Sequence, residues 1–189
     1  HDAAFIPFHH RETITMKSFR YQKIISDFKN VNVLVVGDLI LDQFIWGDVS
    51  RISPEAPMPV VWVKKESYMP GGASNVANNL RSLGANVHIV GVIGDDANGA
   101  TLRGELDQKG ICTAGIATDE SRPTILKTRV VAQHQQVVRI DREKSERLSD
   151  NIIRRMVSYV ESVMNKMDAI IIEDYGKGII TPALLSKIV

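Results

Sequence analysis

Hydrophobic residues fall into short uninterrupted runs that alternate with stretches of helical spacing. A strand covered on both faces carries few polar residues, so the uninterrupted runs predict buried strands at residues 31–36, 87–92 and 168–172. Helical spacing predicts helices at residues 19–28, after residue 72, at 100–109, at 152–166 and from about 181. Strands alternating with helices predict an α/β fold with a doubly wound, mostly parallel sheet.

The stretch after the first buried strand follows a different pattern, rich in aromatic and β-branched residues. Two short strands are predicted near residues 43–49 and 60–65, joined by the proline-containing connection 50–59. We therefore expect a small β-lid that projects from the domain at about residues 43–68. Such a projecting sheet usually covers a ligand or pairs with another subunit. Further strands are predicted at residues 113–117, 124–132 and 137–141.

The amino-acid composition restricts the classes of protein to which this chain could belong. The chain is 44% hydrophobic and 24% charged, which is typical of a globular domain, and its formal net charge of +1 argues against a surface that coats nucleic acid. The single cysteine, Cys112, excludes an internal disulfide and fits a reducing compartment. No apolar run reaches the ~20 residues that span a bilayer. We expect a cytoplasmic protein without a metal site, since the histidines show no paired ligand spacing.

Two polar segments are placed where open α/β sheets hold their ligands. Asp38 and Asp42 follow the first buried strand, at its predicted C-terminal end. Gly71 and Gly72 precede a predicted helix, where the lack of a Cβ lets the backbone approach a ligand closely, and Asn75 adds a short polar side chain. Paired acceptors beside a close-approach loop suit a polyhydroxylated substrate such as a sugar.

These segments carry a resemblance to a known family. The sequence resembles the ribokinase-like, or PfkB, carbohydrate kinases, and within them the heptose-7-phosphate kinases. The resemblance runs from about residue 23 to the end. It rests on the motif at 37–42, the Arg-Ile-Ser-Pro-Glu-Ala-Pro segment, the Gly-Gly segment, and the motifs at 133–141 and 174–178.

The resemblance implies roles for particular side chains. Asp38 and Asp42 match acidic positions that contact the sugar, although either could instead brace the strand end. Gly71, Gly72 and Asn75 match the sugar-binding loop, for which the alternative is a tight strand-to-helix turn. The remaining substrate-binding candidates are the lid residues Arg51, Ser53 and Glu55, with an ordinary solvated loop as the alternative, and Lys177, which could reach a phosphate or face water. Arg129 and Arg139 could serve the 7-phosphate or merely face water on exposed strand positions, and we expect the latter.

The implied activity is ATP-dependent phosphorylation of D-glycero-D-manno-heptose 7-phosphate at its anomeric oxygen, in ADP-heptose and lipopolysaccharide core synthesis. The complete enzyme would use Mg²⁺ and ATP, with the aspartate of a Gly-Ala-Gly-Asp motif as general base. That motif is absent from this sequence, so no catalytic residue is assigned. We expect residues 18–189 to be the sugar-binding part of a ribokinase-like domain whose C-terminal half is missing, inactive alone. Residues 1–17 would be a leader or an extension added by cloning.

Two other interpretations remain open. The chain could belong to another ribokinase-like kinase with a different sugar. It could also be a non-catalytic remnant that serves as a binding module. The resemblance also implies that two lids pair between subunits, and Trp46 and Trp62 would suit such a surface, so a homodimer through the lid is expected. Partners other than a phosphorylated sugar, such as a nucleic acid or a membrane, are not expected.

Overall fold

Two four-stranded sheets form the frame of this computed structural model, which describes residues 20–188 apart from the side chains of residues 183 and 187. The strands are β1 Asn32–Gly37, β2 Leu39–Ile52, β3 Pro59–Gly72, β4 Asn86–Ile93, β5 Cys112–Thr118, β6 Ile125–Ala132, β7 Gln135–Arg142 and β8 Ala169–Glu173. The helices are α1 (20–27 of the described residues), α2 Ala73–Ser82, α3 Ala97–Gln108, α4 Asp150–Val163 and α5 Pro182–Ile188.

The first sheet, sheet A, has the order β5-β4-β1-β8, and every neighbouring pair is parallel. Its strands coincide with the predicted apolar runs to within about a residue for β1, β4 and β8. Helices cover both faces: α2 and α3 pack on one, α4 and α5 on the other. The predicted α/β fold with a doubly wound, mostly parallel sheet is therefore confirmed.

Alternate residues of the central strand β1 pack into two hydrophobic cores on opposite faces of sheet A. Val33 and Val35 pack in the core beneath α2 and α3, whereas Leu34 and Val36 pack in the core beneath α4 and α5. All four side chains are buried. This alternation is the two-residue period of a strand, and it explains why β1 needs apolar residues at every position.

The second sheet, sheet B, is mixed and has the order β3-β2-β6-β7. The β2–β3 hairpin pairs continuously from Leu39 opposite Gly72 to Ile52 opposite Pro59, apart from two register shifts. It is longer than the two short strands predicted, because backbone pairing continues through both polar motifs. Asp42, Gly71 and Gly72 consequently lie in strands, with β6 parallel to β2 on the other side.

The predicted leader, residues 1–17, and the start of the first predicted helix at Phe19 lie outside the described residues. Between residues 20 and 188, no helix is both long enough and apolar enough to cross a membrane.

Candidate functional site

Asp38 links three segments at the C-terminal edge of sheet A. Its carboxylate Oδ2 accepts hydrogen bonds from the backbone N–H groups of Tyr175, at 2.7 Å, and Lys177, at 3.3 Å. Its carbonyl oxygen accepts from the N–H of Ala73, the first residue of α2. Asp38 therefore fastens the loop after β8 to the end of β1 and to the start of α2.

The Asp38 side chain is fully buried, and its second oxygen, Oδ1, has no hydrogen-bond partner among the described residues. Burial raises the pKa of this carboxyl above its ordinary value, because the backbone N–H groups only partly compensate for lost hydration and the charge of Asp174 lies nearby. The sequence offered two roles, sugar contact and bracing of the strand end. The structure shows the bracing contacts, and the sugar contact stays a prediction.

A cavity of about 310 Å³ lies beside this junction. It is lined by Ile40, Asp42, Gly71, Gly72, Asn75, Lys127, Arg129, Arg139 and Tyr175. Four of the predicted substrate-binding residues thus come together here: Asp42, Gly71, Gly72 and Asn75. They are joined by three cations and a tyrosine that were not among the predicted site residues.

At both glycines an added side chain would meet neighbouring atoms at close range, a side chain at Gly71 and the backbone at Gly72. A Cβ on Gly71 would lie 2.5 Å from Oδ2 of Asp42, and a Cβ on Gly72 would lie 2.5 Å from the carbonyl oxygen of Asp38. Gly72 also has φ +55°, a backbone conformation that residues other than glycine rarely adopt. The Gly-Gly pair therefore serves the tight strand-to-helix turn, the alternative weighed from the sequence, and also keeps the cavity wall free of side chains.

Asp42 and Arg129 form an ion pair across the neighbouring strands β2 and β6. The Arg129 guanidinium also lies 5.4 Å from the centroid of the Phe44 ring, a cation–π distance. The Arg129 side chain is only one quarter exposed. The expectation that Arg129 faces water is wrong, because β6 packs against β2 and brings the side chain over the hairpin.

Two more cations share one carboxylate on β7. Lys127 Nζ lies 3.3 Å from Oδ2 of Asp141, and Arg139 Nε lies 3.0 Å from Oδ1 of the same carboxylate. Arg139 is half-exposed, as expected for its strand position, yet it lines the cavity. Lys127 was missed by the sequence reasoning. Its signal is its spacing of two from Arg129, which places both cations on one face of β6.

The other predicted site residues lie outside the cavity lining. Arg51 and Glu55 are exposed near the tip of the hairpin, and the Ser53 hydroxyl accepts a hydrogen bond from the Glu55 N–H. Lys177 donates from Nζ to Oε1 of Glu143 at 2.8 Å. The structure does not bring these four residues to the cavity, and their contact with a substrate stays a prediction.

Kinases of the resembled family use ATP and Mg²⁺. Within residues 20–188 no three histidine, cysteine or acidic side chains come together in a way that could hold a metal ion. The sequence contains no Gly-Lys-Ser/Thr phosphate loop.

Comparisons with known proteins find relatives by sequence and by fold. Curated relatives include the bifunctional protein HldE of Geobacter sulfurreducens, 47% identical over 159 residues, and that of Helicobacter pylori J99, 45% identical over 157 residues. These alignments cover 84% and 83% of this chain but only 32% and 34% of the relatives. The chain thus spans about a third of the length of the curated relatives it matches.

Solved structures share the fold at lower identity. A microbiome-derived acarbose kinase, Mak1, aligns with a TM-score of 0.57 and 23% identity, over 75% of this chain and 45% of its own. Ribokinase of Arabidopsis thaliana, complexed with ribose and ATP, aligns with a TM-score of 0.50 and 20% identity, over 67% of this chain and 43% of its own. Residues 31–173 match the pfkB family carbohydrate kinase profile, and the chain belongs to that family.

Proposed function

We propose that this chain supplies the sugar-binding part of a kinase that transfers phosphate from ATP to the anomeric oxygen of D-glycero-D-manno-heptose 7-phosphate. One observation carries the proposal. A single cavity combines a carboxylate, Asp42, an amide, Asn75, and a side-chain-free Gly-Gly wall with a set of cations. Hydroxyl groups and an anionic group of one small molecule could all be paired there. The HldE relatives favour heptose 7-phosphate as that molecule.

The chain's own residues would bind and orient the sugar. Asp42 accepts hydrogen bonds from hydroxyls, and Arg129 beside it donates, so the pair can hold two adjacent oxygens of a sugar ring. The free Oδ1 of Asp38 is a further acceptor for a hydroxyl that reaches it. ATP and Mg²⁺ would supply the phosphoryl group and charge neutralisation in the complete enzyme.

We infer that the chain alone is inactive, since its sequence lacks the Gly-Ala-Gly-Asp motif. We also propose that it acts in the cytoplasm.

Calorimetric titration of the purified chain tests the sugar. Heptose 7-phosphate is expected to bind saturably, and fructose 6-phosphate and ribose more weakly. Replacing Asp42 with asparagine should weaken heptose 7-phosphate binding by about 10- to 100-fold, because a charged acceptor of hydroxyl hydrogen bonds is lost. The matched control is Asp48→Asn, which alters an exposed carboxylate of the same hairpin, paired with Lys64 at 3.6 Å. Stronger binding of ribose or fructose 6-phosphate would favour another ribokinase-like kinase instead.

We also propose that two chains pair through the hairpin. Its surface exposes several large apolar side chains, including Trp46, Trp62 and Val63. Changing both tryptophans to serine should shift the mass measured by light scattering from dimer to monomer. Leu83→Ser is the matched control, because Leu83 is an equally exposed apolar residue outside the hairpin. A wild-type chain that is monomeric at micromolar concentration would refute this pairing. A dimer that binds no sugar would favour the non-catalytic binding module.

A further inference from the structure

Four apolar side chains are uncovered near the N-terminal edge of sheet A, the edge opposite the cavity. Three of them lie on α1 at positions i, i+3 and i+4, which places them on one face of the helix. Tyr21 is 62% exposed, Ile24 48% and Ile25 53%. The fourth is Leu83, which is exposed in the turn between α2 and β4. This part of the surface therefore offers an apolar contact area.

Four exposed cations accompany these apolar residues. They are Arg20, Lys23, Lys29 and Lys166. Within residues 20–188, no carboxylate lies within ion-pair distance of any of them. Lys29 and Lys166 lie in short 3-10 helices shortly before β1 and β8, which places them at the N-terminal edge of the sheet. A Cβ on Gly84 would lie 3.8 Å from the backbone nitrogen of Lys29, so the turn that carries Leu83 borders this segment.

The same segments of chain carry fewer carboxylates than cations. They contain Asp27 and Asp168, and Asp168 accepts a hydrogen bond from the backbone N–H of Asn32 at 2.8 Å. Four cations against two carboxylates leave a net charge of +2, whereas the formal net charge of the whole chain is +1. We call the four apolar residues and the four cations the basal patch. It combines exposed apolar area with an excess of positive charge.

This combination restricts what can cover the basal patch. A nucleic acid would pair the cations but leave the isoleucines in water, and a purely apolar protein surface would bury cations without a partner. An anionic lipid surface satisfies both groups, because apolar side chains enter the acyl boundary while the cations stay among the lipid phosphates. An amphipathic helix with basic flanks is typical of such a contact.

We propose that the basal patch docks this chain on the surface of an anionic lipid bilayer, with α1 lying along the interface. This inference goes beyond the proposed function and does not depend on which sugar the cavity binds. A membrane partner was not expected from the sequence, which has no apolar run long enough to span a bilayer. A surface contact does not need such a run.

Docking through the basal patch would leave the cavity accessible. The strand β1 begins at Asn32, beside the patch, and ends at Gly37, directly before Asp38 and the junction that borders the cavity. Six residues of strand span about 17 Å to 20 Å. A chain docked by its N-terminal edge therefore holds the cavity away from the lipid, where a soluble sugar phosphate can enter it.

Co-sedimentation with lipid vesicles tests the docking. Vesicles of phosphatidylglycerol mixed with phosphatidylcholine are compared with vesicles of phosphatidylcholine alone. The wild-type chain should bind the anionic vesicles at least about tenfold more tightly, because each cation near an anionic surface strengthens binding about fivefold. Salt at about 1 M, which shortens the Debye length to about 3 Å, should remove most of this preference.

A charge variant tests whether the basal patch is the surface that binds. Lys23→Gln combined with Lys29→Gln should weaken binding to anionic vesicles by about 10- to 30-fold. The matched control is Arg154→Gln combined with Arg155→Gln, which removes two exposed cations from α4. This control should bind anionic vesicles within about threefold of wild type, since its cations are remote from the lipid.

An apolar variant tests insertion of α1 into the interface. Ile24→Ser combined with Ile25→Ser should weaken binding to anionic vesicles by about 10- to 100-fold, because two buried aliphatic side chains are lost. The matched control is Val138→Ser combined with Ile140→Ser, which changes two similarly exposed residues of β7. This control should bind like wild type.

The outcomes decide the proposal. Losses confined to the two patch variants would support it. No sedimentation of wild type with anionic vesicles at millimolar lipid, or equal binding to anionic and neutral vesicles, would overturn it and leave an acidic protein as the partner to seek. Equal losses in a patch variant and its control would also overturn it. Should the isoleucine variant fail to fold, the lysine variant, altered only at exposed positions, still gives the decision.

Discussion

Replacing Gly72 with alanine is expected to lower the free energy of unfolding by about 2 to 4 kcal/mol. Gly72 has φ +55°, and an added Cβ would lie 2.5 Å from the backbone carbonyl oxygen of Asp38. Backbone cannot swing aside as a flexible side chain can, so either the turn into α2 or the end of β1 must shift. The same shift would move the Gly-Gly wall of the cavity, so sugar binding should fall together with stability.

The matched control for this change is Gly104→Ala. Gly104 lies inside α3, and no atom is within 4 Å of the position of its added Cβ. Alanine there should raise the free energy of unfolding by about 0.5 to 1 kcal/mol, because glycine weakens a helix interior. Urea unfolding of both variants measures the contrast. Equal effects of the two substitutions would show that Gly72 is not constrained by its backbone.

Sequence patterns predicted the parts of the fold that depend on local spacing. The strands of sheet A follow from apolar runs, and α4, predicted from residue 152, begins at Asp150 after Ser149, whose side chain accepts the N–H of Ile152. The start of α3 was placed three residues late. Asp96 caps that helix by accepting the Gly99 N–H, and its carboxylate also accepts the Thr124 N–H. A capping residue whose side chain also binds a distant segment cannot be predicted from local spacing alone.

Only part of the candidate site could be predicted, because the rest depends on pairing between strands that are distant in sequence. Asp42, Gly71, Gly72 and Asn75 are close in sequence to the motifs that define the hairpin and α2. Lys127 comes beside Asp42 only because β6 pairs in parallel with β2, a contact between residues 85 positions apart. Nothing in the spacing of residues 124–132 indicates which strand they join. The place of Lys127 in the cavity wall is therefore evident only from the sheet order.

Asp38→Ala is the second substitution with a large expected effect. It would leave the partly buried N–H groups of Tyr175 and Lys177 without their acceptor, which should lower the free energy of unfolding by about 1 to 3 kcal/mol. Asp38→Asn keeps one oxygen that can accept from both N–H groups. It should therefore be less damaging than alanine at neutral pH, as measured by urea unfolding. Equal losses in the two variants would show that the loop does not depend on this acceptor.

The pH dependence of the folding stability distinguishes the effect of the Asp38 charge from the effect of its side-chain shape. Burial raises the pKa of the folded carboxyl above its ordinary value of 3.8, so the folded chain holds this proton more tightly than the unfolded chain does. The contribution of Asp38 to stability is then largest below about pH 4 and falls as pH rises through the folded pKa. Asparagine does not titrate. The stability of wild type relative to Asp38→Asn should therefore decrease from acid to neutral pH. An advantage of wild type that grows with pH would contradict this expectation, because it would mean that the buried carboxylate is stabilised as the anion.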